Sequence, residues 1–162
     1  MLPARTFLIP PVLITGSGSS EKVGEEGKKL GMKKALIVTD QVMVKLGVLE
    51  GVKKALEQTK IQFAIYDAVA TEPTVDYVKE GLKSFKENGC DFLVAVGGGS
   101  PIDTAKAIGM MATNPGSIEE YKGLGKVTKE EPPLLAIPTT AGTGSEVPPL
   151  TIITDTKTSV TM

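Results

Sequence analysis

Residues 92–107, FLVAVGGGSPIDTAKA, carry the plainest structural pattern in the chain. Its opening run FLVAV is apolar without interruption, as expected of a strand buried on both faces of a parallel sheet. Three glycines follow, and glycine is the residue that turns a backbone sharply through conformations closed to other side chains. Ser100 then stands where a helix cap belongs, Pro101 at the first helical position, and Asp103 three residues after the cap, as in a capping box. The reading is strand, glycine turn, and a helix over residues 100–112.

The same alternation extends in both directions. Apolar runs at residues 35–39 (ALIVT), 61–66 (IQFAIY) and 134–138 (LLAIP) read as further buried strands. Helical spacing links Val23, Gly27 and Leu30 within residues 20–30, where Gly31 supplies a stop. It also links Val48, Val52, Ala55 and Leu56 within residues 48–58, and Val75, Val78, Leu82 and Phe85 within residues 74–88, where Thr74 is the cap. Strands alternating with helices predict right-handed crossovers. The expected fold class is therefore α/β, a doubly wound, mostly parallel, Rossmann-like sheet with helices on both faces, occupying residues 1–162 as one domain. The ends are less regular. Residues 5–9 suggest an edge strand broken by Pro10-Pro11, and residues 12–15 a short strand. Residues 150–154 read as a strand, 155–157 as a turn and 158–162 as a returning strand, so the chain is expected to be cut within a hairpin of a longer protein.

Composition narrows the function. Apolar residues make up 41% of the 162 and charged residues 23%, the profile of a folded globular domain. The net charge of -1 and the scattered lysines argue against a nucleic-acid partner. Only 4% of residues are aromatic and none is tryptophan, which disfavours a base-stacking surface. No apolar run approaches the roughly 18 residues that span a bilayer, and the N-terminus lacks the apolar core of a signal peptide. One cysteine, Cys90, cannot pair internally, and the expected location is the reducing cytoplasm. The sequence has no histidine, hence no imidazole for acid–base work or metal ligation.

The candidate chemistry gathers after the strands. Gly97, Gly98 and Gly99 open the backbone to a phosphate, and the helix behind them aims its positive end at an anion. Gly16-Ser17-Gly18 lies 22 residues before Asp40, a spacing that mimics a dinucleotide fingerprint, but residue 21 is Glu where a third glycine belongs. It reads as a turn and helix start. Asp40 ends its strand, where a carboxylate accepts both hydroxyls of an adenosine ribose and repels a 2′-phosphate. Asp40 equally suits a helix N-cap, and spacing leaves both roles open. The loop PTTAGTGSE, residues 138–146, brings hydroxyls and glycines past the fourth strand, suited to a dinucleotide or to a plain polar turn. Asp103 reads as a cap and Lys106 as part of a solvated helix face rather than as substrate-polarising groups. Cys90 and Met110-Met111 read as buried packing.

Taken together, GGGSPIDTAKA (residues 97–107), PTTAGTGSE (138–146) and ALIVTD (35–40) resemble the iron-containing, or group III, alcohol dehydrogenases. The motifs stand in that family's order and spacing, and Glu72-Pro73-Thr74 and residues 152–155 agree. The resemblance covers the family's N-terminal domain only; its helical C-terminal domain is absent. It implies NAD as cofactor, with Asp40 at the adenosine ribose, Gly97, Gly98, Gly99 and Ser100 at the pyrophosphate, and Asp103 toward the nicotinamide. Thr139, Thr140 and Thr143 would line the dinucleotide, and Leu150 would contact it. The family's catalytic metal, Fe2+ or Zn2+, is held by one Asp and three His of the C-terminal domain, so no metal ligand and no catalytic residue is assigned here. The implied partners are the dinucleotide and a small alcohol or aldehyde, with a homodimer as the family's common assembly. Pro148-Pro149 departs from the family pattern. Two alternatives remain: a freestanding nucleotide-binding module, or the cofactor half of an enzyme like glycerol dehydrogenase or dehydroquinate synthase.

Overall fold

The apolar runs become the strands of one parallel sheet. In the computed structural model, which describes residues 9–123, 125–158 and 160–161, these are β1 (Lys34–Val38), β2 (Gln62–Tyr66), β3 (Phe92–Gly97) and β4 (Leu134–Pro138). Their order is β2-β1-β3-β4, with every neighbouring pair parallel. Alternation along the strands splits the core in two. Leu36, Val38, Leu93 and Ala95 face helices α4 (Val75–Glu87) and α5 (Gly99–Thr113), whereas Ala35, Ile37, Phe92, Val94 and Val96 face α1 (Val23–Lys29) and α3 (Glu50–Gln58). The doubly wound α/β, Rossmann-like architecture expected from the sequence is the one observed.

Burial dominates the energetics. A fully buried Leu or Ile contributes about 1.5–3 kcal/mol, and Leu36, Ile37, Leu93, Ile102 and Ile108 are all completely enclosed. Exposed pairs one helical turn apart, such as Lys22–Glu25 and Lys53–Glu50, add only about 0.2–0.5 kcal/mol each. Polar groups set the register where strands begin and end. The Asp91 carboxylate accepts the Lys33 and Lys34 N–H groups, both at 2.9 Å, tying the start of β1 to β3. At the other end the buried Thr39 hydroxyl donates to the Val96 carbonyl at 2.8 Å.

Four expectations need correction or restriction. The helix after the glycines starts earlier than expected: α5 begins at Gly99 with Gly98 as N-cap, and no side chain caps it. Gly97, at φ 149°, turns the chain at once, so Ser100 and Pro101 fall inside the first turn and no Ser100–Asp103 capping box forms. Residues 12–15 are not a strand, being exposed coil behind two prolines with no partner edge. Residues 150–153 are not a strand either, because Pro148 and Pro149 before them have no N–H to give a ladder. The terminal hairpin is confined to β5 (Thr154–Asp155) and β6 (Val160–Thr161), paired antiparallel. The suggested edge strand at residues 5–9 lies outside the described residues apart from Ile9, which is exposed coil. Helix α2 (Gln41–Lys45) is short and capped by Asp40, and two 3-10 helices, Ser19–Lys22 and Ile118–Tyr121, complete the described elements. No helix among the described residues is long and apolar enough to cross a membrane.

Two outcomes test this packing. A Cβ on Gly24 would lie 2.2 Å from the Ala55 carbonyl oxygen, so α1 and α3 touch backbone to backbone. Gly24→Ala is expected to cost about 1–3 kcal/mol, seen as a lower thermal midpoint by circular dichroism. Burial pushes the buried Cys90 thiol up to about 11 against the pull of Lys34. At pH 8 it stays protonated, so a disulfide-exchange reagent should label it far more slowly in the native chain than in urea.

Candidate functional site

Because all four strands run parallel, their carboxyl ends open on one side. The chain leaves β1 outward to β2 and then returns across β1 to β3. The helix that follows β1 and leads to β2, α3, and the helix that follows β3, α5, therefore cover opposite faces. A parallel sheet cannot be covered evenly at such a switch point, and a crevice remains beyond the strand ends. Here it has a volume of about 690 Å³ and is lined by Asp40 after β1, residues 67–71 after β2, Gly98 to Pro101 after β3, and Thr139 and Thr140 after β4.

Asp40 takes the capping role, one of the two left open by its spacing. Its Oδ1 accepts the Met43 N–H at 2.9 Å, capping α2, and its Oδ2 turns toward Gly97, where a Cβ would lie 3.6 Å away. The cap uses one oxygen and directs the other along the crevice floor. The glycines serve three separate needs. Gly97 adopts the positive φ, and a Cβ on it would meet Pro101 Cγ at 2.7 Å. Gly98 lets Thr140 Oγ1 approach within 3.1 Å of where its Cβ would be, and Gly99 does the same for Ser145 Oγ. The Thr139 N–H donates to the Gly97 carbonyl at 2.9 Å, fastening the hydroxyl loop to the glycine loop. With no side chain capping α5, the N–H groups of Gly99 and Ser100 and the positive end of a 15-residue helix face the crevice.

Asp103 and Lys106 behave differently from expectation. Neither is a cap or a solvated face: their side chains are only 10% and 13% exposed, with Lys106 Nζ 3.5 Å from Asp103 Oδ1. Residues 148–152 fold over them, and Nζ donates to the carbonyls of Pro148 at 2.9 Å and Leu150 at 2.7 Å. Burial pushes the Asp103 carboxyl above the usual carboxylate range, against the Lys106 charge and hydrogen bonds from Ile152 and Ser145. Burial likewise lowers the Lys106 ammonium, against the pull of Asp103 and Glu146. Asp103 opens into a smaller crevice of about 330 Å³, which shares Gly99 and Ser100 with the first and adds Glu72, Ile152 and Thr154.

The structure thus brings together Asp40, Gly98, Gly99, Ser100, Thr139 and Thr140 on the larger crevice, with Gly97 beneath them. Thr143 rests against Gly99, and Asp103 lies in the adjoining crevice. Leu150 is 53% exposed and lines neither. Gly16 and Gly18 form an exposed turn into the first helix and line neither crevice. Sequence reasoning missed residues 67–71, although their place just past the strand at 61–66 was the signal that flags them. Ser145 entered only as one hydroxyl of the 138–146 loop, and its approach to Gly99 is visible only in space. Among the described residues no group of three or more His, Cys, Asp or Glu is placed to hold a metal ion, so the residues present do not fit a catalytic metal.

The sequence model of the iron-containing alcohol dehydrogenase family matches residues 10–162. The chain belongs to that family. It is 45% identical over 156 residues to an NAD-dependent methanol dehydrogenase of Bacillus methanolicus, covering 96% of this chain and 41% of that protein. Among solved structures, a 1,3-propanediol oxidoreductase superposes with a TM-score of 0.95 at 40% identity, over 98% of this chain and 42% of the other. A sulfoacetaldehyde reductase from Bifidobacterium kashiwanohense, solved in complex with NAD+, superposes with a TM-score of 0.86 at 29% identity, over 99% of this chain and 42% of the other. The chain thus spans about two fifths of the length of the relatives it matches. The chain carries the glycine loop, the acidic strand end and the start of the hydroxyl loop on one crevice.

The glycines are expected to differ in tolerance. Gly97→Ala meets both a forbidden φ and the Pro101 ring, and should cost about 2–3 kcal/mol in urea unfolding. Gly98→Ala meets only the movable Thr140 hydroxyl and should cost less.

Proposed function

We propose that this chain is the NAD(H)-binding part of a metal-dependent dehydrogenase that moves hydride between a small alcohol and NAD. The observation that carries the reading is the crevice at the switch point, with an acidic group at one end and an uncapped helix N-terminus at the other. The Asp40 carboxylate accepts the adenosine ribose hydroxyls and repels a 2′-phosphate, which favours NAD over NADP. The N–H groups of Gly99 and Ser100 receive the pyrophosphate without a side chain in the way. Thr139, Thr140 and Thr143 then offer hydroxyls along the dinucleotide, and the nicotinamide C4 receives or gives the hydride. The relatives support this reading through one named for NAD dependence and one solved with NAD+.

The division of labour follows from the residues present. The chain has no histidine, and its described acidic residues form no ligand cluster. We therefore assign it binding and orientation of the cofactor, and assign to these 162 residues alone no turnover of alcohol. The iron or zinc and the substrate pocket belong, in this reading, to polypeptide beyond the chain.

Titration with NADH and NADPH, followed by nicotinamide emission, tests the assignment directly. NADH should bind in a saturable way and more tightly than NADPH, and Asp40→Gly should narrow the gap by about tenfold, the worth of one charged contact. An unchanged preference in that variant would remove Asp40 from the ribose.

A further inference from the structure

The two crevices meet at the start of α5. Gly99 and Ser100 line both, Asp40 lines only the larger, and Glu72 and Asp103 line only the smaller. A dinucleotide is two nucleosides joined through a pyrophosphate. With a ribose diol at Asp40 and the pyrophosphate at the Gly99 and Ser100 N–H groups, the second nucleoside continues into the smaller crevice of about 330 Å³. In NAD the base on that side is nicotinamide, and its charge changes with the reaction. The NAD+ ring is a cation, and the hydride it takes at C4 makes it neutral.

The smaller crevice carries one uncompensated charge. Among the described residues no Lys or Arg lines it. Its buried acid, Asp103, has Lys106 Nζ at 3.5 Å, so that pair sums to no net charge. Glu72 is different. It is exposed at the crevice wall, and among the described residues its carboxylate joins no salt bridge. The Thr71 hydroxyl donates to its backbone carbonyl and leaves the side chain free. The wall that carries it is held firmly. On one side the Thr154 N–H donates to the Pro73 carbonyl at 2.8 Å, and on the other Thr74 caps α4.

We infer that Glu72 sets the redox preference of the bound cofactor: its carboxylate favours the cationic ring of NAD+ over the neutral ring of NADH, and so tips the bound couple toward release of hydride from NADH. The inference rests on the NAD(H) reading of the site. Two unit charges several ångströms apart across partly solvated space attract by an amount worth about threefold to tenfold in affinity. Because Glu72 is exposed, salt screens that attraction. The carboxylate also repels the pyrophosphate. Both redox forms carry the same pyrophosphate, however, so this repulsion cancels in the ratio of their affinities.

The experiment measures both forms on the purified protein, NADH by nicotinamide emission and NAD+ by displacement of NADH. Glu72→Gln should weaken NAD+ relative to NADH by about threefold to tenfold at low salt. A tenfold change raises the potential of the bound two-electron couple by about 30 mV. Glu72→Lys should move the ratio further in the same direction, and both changes should shrink in about 1 M salt, where the screening length is about 3 Å. Both substitutions fall on an exposed side chain, which the fold tolerates. Asp76→Asn removes an equal charge from a carboxylate that lines neither crevice, and should leave the ratio within about twofold. A ratio unchanged in Glu72→Gln, or shifted as much by Asp76→Asn, would overturn the inference while NAD(H) binding stands. Failure of the unsubstituted protein to bind either form would bring down the cofactor reading, and this inference with it.

Discussion

β3 is buried along its whole length, between β1 and β4 and under helices on both faces. A strand so enclosed has no freedom in how its chain departs. The following helix must start at once to cover the sheet, and the turn between them must fit beneath the loop that leaves β4. Gly97 meets the first demand with its positive φ, and Gly98 and Gly99 meet the second by presenting no Cβ to Thr140 and Ser145. The crevice is a consequence of that exit, since the switch from β1 to β3 already leaves the strand ends uncovered between opposite helical layers.

The same exit explains why the helix end is left without a cap. In the interior of a protein an uncapped helix N-terminus is a defect, with N–H groups that lack partners. At the mouth of a crevice it is a place where an anion replaces the missing cap. Asp40 shows the opposite solution at the neighbouring strand: its side chain caps α2 with one oxygen and keeps the other turned into the crevice. One loop therefore offers positive potential and the next a carboxylate, a pairing suited to a ligand with a phosphate and a diol.

Burial and charge compete most directly at Asp103 and Lys106. Enclosure raises the carboxyl and lowers the ammonium, while their mutual attraction works against both shifts. Such a pair adds little net stability over apolar packing, because desolvation offsets the attraction. Its value here is directional, since the ammonium also bonds two carbonyls of a segment whose prolines give it no ladder of its own.

The layered α/β plan was legible in the sequence alone, and so were six residues of the larger crevice: Asp40, Gly98, Gly99, Ser100, Thr139 and Thr140. The uninterrupted apolar runs of β1 and β3 mark the strands covered on both faces, helical spacing marks what covers them, and the glycine run and Asp40 stand where strands must end. These are local patterns, legible one segment at a time. The features hidden until the chain folds involve partners far apart along it. Whether Ser100 caps its helix depended on Gly97 and on the loop after β4. That Asp40 caps a helix with one oxygen and turns the other toward Gly97 depended on how the two strand ends meet. Lys106 looked solvated because nothing around it in sequence reveals that carbonyls 42 and 44 residues later would fold over it. A carbonyl carries no side-chain signature, and so a bond to one is invisible until the chain is folded.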